Sequence, residues 1–320
     1  MSISPSFRRS NHLAASAGTD KLITNSSSSS TAACTGGSTG PPRASLRRPL
    51  NGHSASRGPP LWTTGTSHHQ GGQFWTPIGG QYSTPIDIQG SFHDPDSLMR
   101  AMEGVYGVFS VQPYTANEIQ QGVAVIEAAK RQDVSHFVYS SVGSADEETG
   151  IPHFETNVKV EEHLRSSGLQ YTIVRPVFFM ENWQKWLGES IRNGQLQQPL
   201  SPTTNLRMVG VDDIGAFAAL AFEHPGKWKN RTFPLAGDEL SMRQIADAFR
   251  RATARDVKYV QVSWDQFEKN MGRELTVMYH WFEEKGFHFD IEQVRREYPL
   301  THTFNRWLEA CWNPTAVTAR

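Results

Sequence analysis

The sequence predicts an α/β fold: a doubly wound parallel sheet with an incomplete N-terminal unit and a small, mixed C-terminal subdomain for a substrate or partner. Two observations and one general rule lead there. Between residues 105 and 176, short apolar runs alternate with amphipathic stretches at the spacing of βαβ units. Right-handed crossovers then place helices on both faces of one sheet. Near residue 85 the chain also changes from low-complexity, nearly acid-free sequence to patterned sequence.

The chain has 320 residues, 38% of them hydrophobic, enough for one large α/β domain with an appendage. Its net charge of -1 gives no bulk attraction to nucleic acid or an anionic membrane, and neither is expected as a partner. The charge is unevenly spread. Residues 1–86 hold seven bases and a single acid, Asp20, a net +6 that leaves -7 for the remainder. Ser26 to Ser30 is a homopolymer, and Gly, Pro, Ser, Thr and His dominate residues 31–75. Such sequence buries too little apolar surface to offset its ordering entropy. Residues 1–75 therefore read as a disordered arm, a transit peptide or mis-specified sequence. Residues 76–310 form the patterned domain, with the smaller subdomain mainly from 181–207 and 238–310. Cys34 and Cys311 are too few for a disulfide framework, and no apolar run of ~18 residues exists, so a cytoplasmic setting is expected.

The elements are justified in chain order. Ile86-Asp87-Ile88 alternates like a short strand that Gly90 ends. Asp94-Pro95 opens a helix to about Met102, since the carboxylate accepts free backbone N–H groups and proline is tolerated in the first turn; Gly104 stops it. Val105 to Val111 is an apolar strand. Thr115 and Glu118 have the spacing of a capping box before a helix through Ile119, Val123, Ile126 and Ala129. Strand His136–Ser140, a helix from about Glu155 to Arg165 and strand Tyr171–Val174 complete the series. Helices are predicted at 182–193, 212–223, 241–253 and 264–271, with Trp307 in a last helix. Without a proper first strand, the strands at 86–89 and 105–111 should lie at a poorly covered edge, which invites self-association, unless residues 76–84 or the low-complexity arm fold back as a substitute strand.

In doubly wound sheets, ligands sit beyond the carboxyl ends of the strands. Gln112-Pro113, Ser140-Ser141-Val142 and Pro176-Val177-Phe178 should therefore line one crevice.

Several segments carry a family resemblance. Gln89-Gly90-Ser91-Phe92-His93-Asp94-Pro95, Gly104-Val105-Tyr106-Gly107-Val108-Phe109 and His153-Phe154-Glu155-Thr156 with Val160-Glu161-Glu162-His163-Leu164 are three of them. Arg175-Pro176-Val177-Phe178-Phe179-Met180-Glu181-Asn182, Val211-Asp212-Asp213-Ile214-Gly215 and Leu235-Ala236-Gly237-Asp238 are the others. Together, over about residues 85–310, they resemble the NmrA-like branch of the atypical short-chain dehydrogenases. The resemblance implies a Rossmann-type sheet and NADP or NAD as cofactor. Its contacts would be Gly90, Gln112, Pro113, Ser140, Ser141, Pro176 and Phe178, with Gly36, Gly37 and Gly40 as the pyrophosphate turn. That turn departs from the family pattern. No apolar strand precedes Thr35-Gly36-Gly37-Ser38-Thr39-Gly40, and Pro41-Pro42 oppose the helix that should come next.

Ordinary short-chain dehydrogenases use a Tyr-x-x-x-Lys pair, in which lysine lowers the tyrosine pKa. The corresponding segment here is His153-Phe154-Glu155-Thr156-Asn157, with neither residue in place. His153 and Ser141 are the candidate catalytic groups. Their plainer readings are a loop histidine and a strand-end hydroxyl bonded to backbone. Tyr139 should face the core, opposite Ser140. Asp212-Asp213 reads first as helix capping, and Phe178 with Phe179 as either a cover for the nicotinamide or simple packing. The aromatic stretch from Met278 reads as a lid, a partner groove or a packed surface helix. Metal binding is not expected, because the chain lacks H-E-x-x-H and paired-cysteine spacings. Three functions remain: a redox-sensing regulator with impaired cofactor binding and a protein partner, an NAD(P)H-dependent reductase of quinone- or ketone-like substrates, and a non-enzymatic scaffold remnant.

Overall fold

The computed structural model describes residues 90–313 throughout. Outside that range it describes only the backbone of four short strands, β1 (Ser2–Ser4), β2 (His12–Ala14), β3 (Thr63–Thr64) and β4 (Trp75–Thr76). The expected strand at 86–89, the glycine run at 36–40 and most of the segment 1–75 lie outside the described residues. The main unit continues through α1 (Pro95–Met102), β5 (Gly107–Ser110), α2 (Glu118–Arg131), β6 (His136–Ser140), α3 (Pro152–Ser166) and β7 (Tyr171–Pro176). Next come β8 (Phe178–Phe179), α4 (Glu181–Arg192), β9 (Gln195–Gln198), β10 (Asn205–Val209), α5 (Val211–Glu223), α6 (Pro225–Trp228) and β11 (Arg231–Leu235). The last elements are β12 (Asp238–Ser241), α7 (Met242–Thr253), β13 (Lys258–Gln261), α8 (Trp264–Met271), α9 (Arg273–Glu284), α10 (Ile291–Glu297) and α11 (Phe304–Ala310).

The central sheet has the order β1-β2-β5-β6-β7-β11. β2, β5, β6, β7 and β11 pair in parallel, and β1 adds antiparallel at the edge. Period-two alternation sorts the side chains into two layers. Phe137, Tyr139 and Ile173 face the core under α1, α2 and α3, whereas Val138 and Val174 face the core shared with α5 and the C-terminal elements. Each such fully buried side chain contributes ~1.5–3 kcal/mol. α2 and α3 approach closely because Gly122 has no side chain: a Cβ there would lie 2.7 Å from both methyls of Val160. β10 pairs in parallel with β8 and antiparallel with β12, and β9 pairs with β13.

One expectation is met by its alternative and two need correction. The open edge beside Gly107–Ser110 is covered, since His12 to Ala14 pairs with Gly107 to Phe109; three residues of the low-complexity arm supply the missing neighbour. The capping box does not form. Asn117 is the N-cap of α2 and gives no side-chain cap, while Glu118 turns inward toward Thr156 and Asn157. Nor do Asp212 and Asp213 cap α5, which starts from Gly210; Asp213 is engaged by His302. The Asp94 cap is as expected, its Oδ1 accepting from the N–H groups of Asp96 at 3.1 Å and Ser97 at 3.2 Å.

Candidate functional site

Because β5, β6 and β7 are parallel, their carboxyl ends share one edge of the sheet, and the expected crevice residues come together there. The segment after β6 is fixed to β7 by backbone bonds, Ser141 N to Val174 O and Gly143 N to Pro176 O, both 2.8 Å. Gln112, Ser140 and Ser141 are each 7% exposed. Gln112 Nε2 donates to Ser110 Oγ at 2.7 Å, and its Oε1 is buried with no partner. The Ser141 hydroxyl is likewise buried and unpartnered, so it does not serve as a strand-end cap. Two orphaned polar atoms at adjacent strand ends leave hydrogen-bonding capacity that a bound polar group would satisfy. One accepts and the other both donates and accepts. That chemistry fits the hydroxyl and amide edge of a ribosyl-nicotinamide.

Of the remaining expected residues that are described, only Phe178 departs from its expected role. Gly90 is half-buried at the start of the described chain, just before the turn into α1. Pro113 follows Gln112 on the loop that carries exposed Tyr114. Pro176 ends β7. Phe178 is buried against Trp183, with centroids 5.0 Å apart, and against Phe282 at 6.5 Å, which is packing and not a cover over an open crevice. Gly36, Gly37 and Gly40 lie outside the described residues.

A residue not singled out from the sequence stands at this edge. A Cβ on Gly143 would meet the Phe287 ring at 2.8 Å and Val177 at 3.1 Å, so Phe287 lies directly on the floor between the β6 and β7 ends. It is held there by Phe154, Trp281 and Phe282. The available signal was the aromatic density from Met278 to Phe289. Its register was not legible, because Phe287 follows α9 in a loop that carries no helical period.

The α3 side of the crevice explains what replaces the Tyr and Lys. His153 sits in the first turn of α3, not in a loop before it. Its backbone N–H donates to Glu274 Oε1 at 3.2 Å, and its ring Nδ1 lies 2.8 Å from the same oxygen. Tyr114 hydrogen-bonds the other oxygen of Glu274. Burial pulls the His153 imidazole down to about 4, so at pH 7 it is neutral and donates Nδ1–H to the carboxylate. A neutral ring is a poor acid at that pH; the contacts make His153 a tether between α3 and α9.

Asn157, at the position of the family's lysine, faces the core. It accepts from Tyr139 Oη at 2.8 Å and donates to Glu118 Oε1 at 3.1 Å and to the His153 carbonyl at 2.7 Å. Burial raises both Tyr139 and Glu118. Tyr139 is in the core as expected, and Lys159 is exposed and paired with Glu162. One turn further along α3, Glu161 takes a two-pronged bond from Arg175. On the opposite flank Glu181 Oε1 accepts from Val211 N and Trp307 Nε1, and burial raises its carboxyl. No group of three or more metal-ligating side chains occurs among the described residues, and none of their helices is long and apolar enough to cross a membrane.

Known proteins resemble this chain in sequence and in fold. An NAD(P)H azoreductase of Xenophilus azovorans is 30% identical over 183 residues, 57% of this chain and 63% of the relative, so the match spans less than two thirds of that protein. The nitrogen metabolite repression protein nmrA of Emericella nidulans is 27% identical over 183 residues, 53% of this chain and 52% of its own. Among solved structures, an NADPH-dependent quinone oxidoreductase of Escherichia coli in complex with NADPH superposes with a TM-score of 0.59 at 21% identity. That superposition covers 69% of this chain and 81% of the other, and it shows a shared fold. The model of the NmrA-like family matches residues 88–304, well over half of the sequence, and the chain belongs to that family.

Proposed function

We propose that this chain is a redox-responsive regulator that takes NAD or NADP weakly into the strand-end crevice and acts through contacts with a protein partner, not by turnover. The observation that carries this reading is the placement of Asn157. The side chain that would tune a proton donor in a working dehydrogenase is instead bonded to Tyr139 and Glu118 inside the core. His153 is neutral and tied to Glu274, so neither position delivers a proton to the crevice. The orphaned Gln112 Oε1 and Ser141 Oγ support retained affinity for a ribosyl-nicotinamide. The prolines after Gly40 argue for a weak grip on its pyrophosphate. Hydride chemistry is what the dinucleotide supplies when bound; this chain's residues orient it and bury its polar edge.

The second reading, an NAD(P)H-dependent reductase of quinone- or ketone-like substrates, draws on the azoreductase and quinone oxidoreductase likenesses. Oxidation of NADPH by menadione, followed by absorbance, separates the two. The regulator shows no rate above the protein-free control. Multiple turnovers per minute at micromolar protein would replace this reading with the reductase.

A further inference from the structure

A pocket of about 380 Å³ opens between the start of β10, β12 and the loop after α9. Its hydrogen-bond donors are under-used. Arg207 gives Nε to Glu239 Oε1 at 3.2 Å and rests on the Phe289 ring at 5.0 Å. Its Nη1 is buried with no partner. Lys285 and Asn205 also line the pocket, and among the described residues neither side chain makes a hydrogen bond or an ion pair. The two acids lining the space are already engaged. Glu283 Oε2 accepts from Ser201 N at 3.0 Å and Thr204 Oγ1 at 2.7 Å, and Glu239 holds Arg207. Phe282 and Phe287 complete the wall.

We propose that this pocket binds a small organic anion, its carboxylate received by Arg207 and Lys285 and its carbon skeleton by Phe282 and Phe287. The formal charges of the two bases and two acids cancel, so the selection comes from donors and not from a net field. A guanidinium with unsatisfied terminal N–H groups is matched in shape and charge by a carboxylate, which accepts two parallel bonds. A neutral ligand would leave those donors desolvated and unpaired, which disfavours it. The pocket shares Phe287 with the strand-end crevice, and its occupancy does not require a bound nucleotide.

Calorimetric titration of the full chain, without nucleotide, tests this with 2-naphthoate and its neutral counterpart 2-naphthalenemethanol. The naphthoate should bind at least roughly tenfold more tightly than the alcohol, the margin expected from one charge-assisted pair. Lys285→Ala, which removes an exposed side chain with no hydrogen bond or ion pair among the described residues, should fold normally and weaken naphthoate binding about fivefold or more while leaving the alcohol unchanged. Arg207→Gln should weaken it further. Equal affinity for the two compounds, no naphthoate binding at millimolar concentration, or unchanged affinity in Lys285→Ala would each overturn the assignment.

Discussion

Two buried carboxylates flank the sheet, each 1% exposed, and they are neutralised in different ways. On α3, Glu161 receives Arg175 Nε at 2.9 Å, Arg175 Nη2 at 2.8 Å and Arg165 Nη2 at 2.7 Å, and Arg175 reaches Asp146 as well. On α5, Asp213 receives, among the described residues, only His302, through ring Nδ1 at 2.9 Å and backbone N–H at 3.1 Å. Arginine is charged at every working pH, whereas histidine changes state near neutrality. The α3 lock beneath the crevice is therefore permanent, and the α5 lock on the C-terminal segment is conditional. The charge on the α3 side does not depend on pH near neutrality, whereas the attachment of the segment around His302 to α5 does.

The largest way to break this comparison is Glu161→Ala. It leaves a buried guanidinium without its main partner, and urea unfolding at pH 7 should show a loss of about 3–5 kcal/mol. Gly237→Ala comes next. Its Cβ would lie 2.2 Å from the His302 carbonyl oxygen, a backbone atom that can move only with its segment. The expected cost is about 1–3 kcal/mol, measured in the same way.

The conditional lock makes a signed prediction. The hydrogen bond to Asp213 raises the His302 pKa above its ordinary value. The folded state therefore holds a proton that the unfolded chain releases first, and stability falls as pH rises through the folded value. Asp213→Asn keeps an acceptor but removes the charge, so it should cost about 1 kcal/mol at pH 6 and clearly less at pH 8.5. His153 runs the other way. Its folded pKa is lowered to about 4 by burial, so stability is complete above the unfolded value and is lost as pH falls from about 6.5 toward 4. The loss should be about 2–3 kcal/mol, since a fall from about 6.5 to about 4 is worth about 1.4 kcal/mol per unit and the ring is still partly open to solvent. His153→Gln should flatten that acid limb in denaturant titrations from pH 7 to 4.5; an unchanged slope would show that His153 is not buried as a neutral ring.

Much of this architecture was legible because it obeys local rules. The strands at 136–140 and 171–176 are apolar runs of the right length, and Asp94-Pro95 is a local capping signal. That Gln112, Ser141 and Pro176 lie at one edge of the sheet followed from the parallel arrangement alone. The hidden part was tertiary. Glu118 has the spacing of a capping box, but Thr156 and Asn157 on a neighbouring helix offer it better partners. Asp213 looks like a cap, yet its partner is 89 residues away in a segment with no pattern of its own. His12-Leu13-Ala14 pairs with β5 although nothing in its composition marks a strand. Phe287 reaches the crevice floor from a loop, where periodicity gives no register.

On the proposed function, the strand-end half of the crevice takes a nicotinamide dinucleotide, and the prolines that follow the glycine run predict a weak hold. Losing two or three charge-assisted bonds to the pyrophosphate, at about 1.5–3 kcal/mol each, lowers affinity by several orders of magnitude. Calorimetric titration of the full chain with NADPH tests this most directly. The expected result is binding weaker than about 100 μM that weakens further in Ser141→Ala and Gln112→Ala. A dissociation constant in the low micromolar range, indifferent to both substitutions, would contradict it.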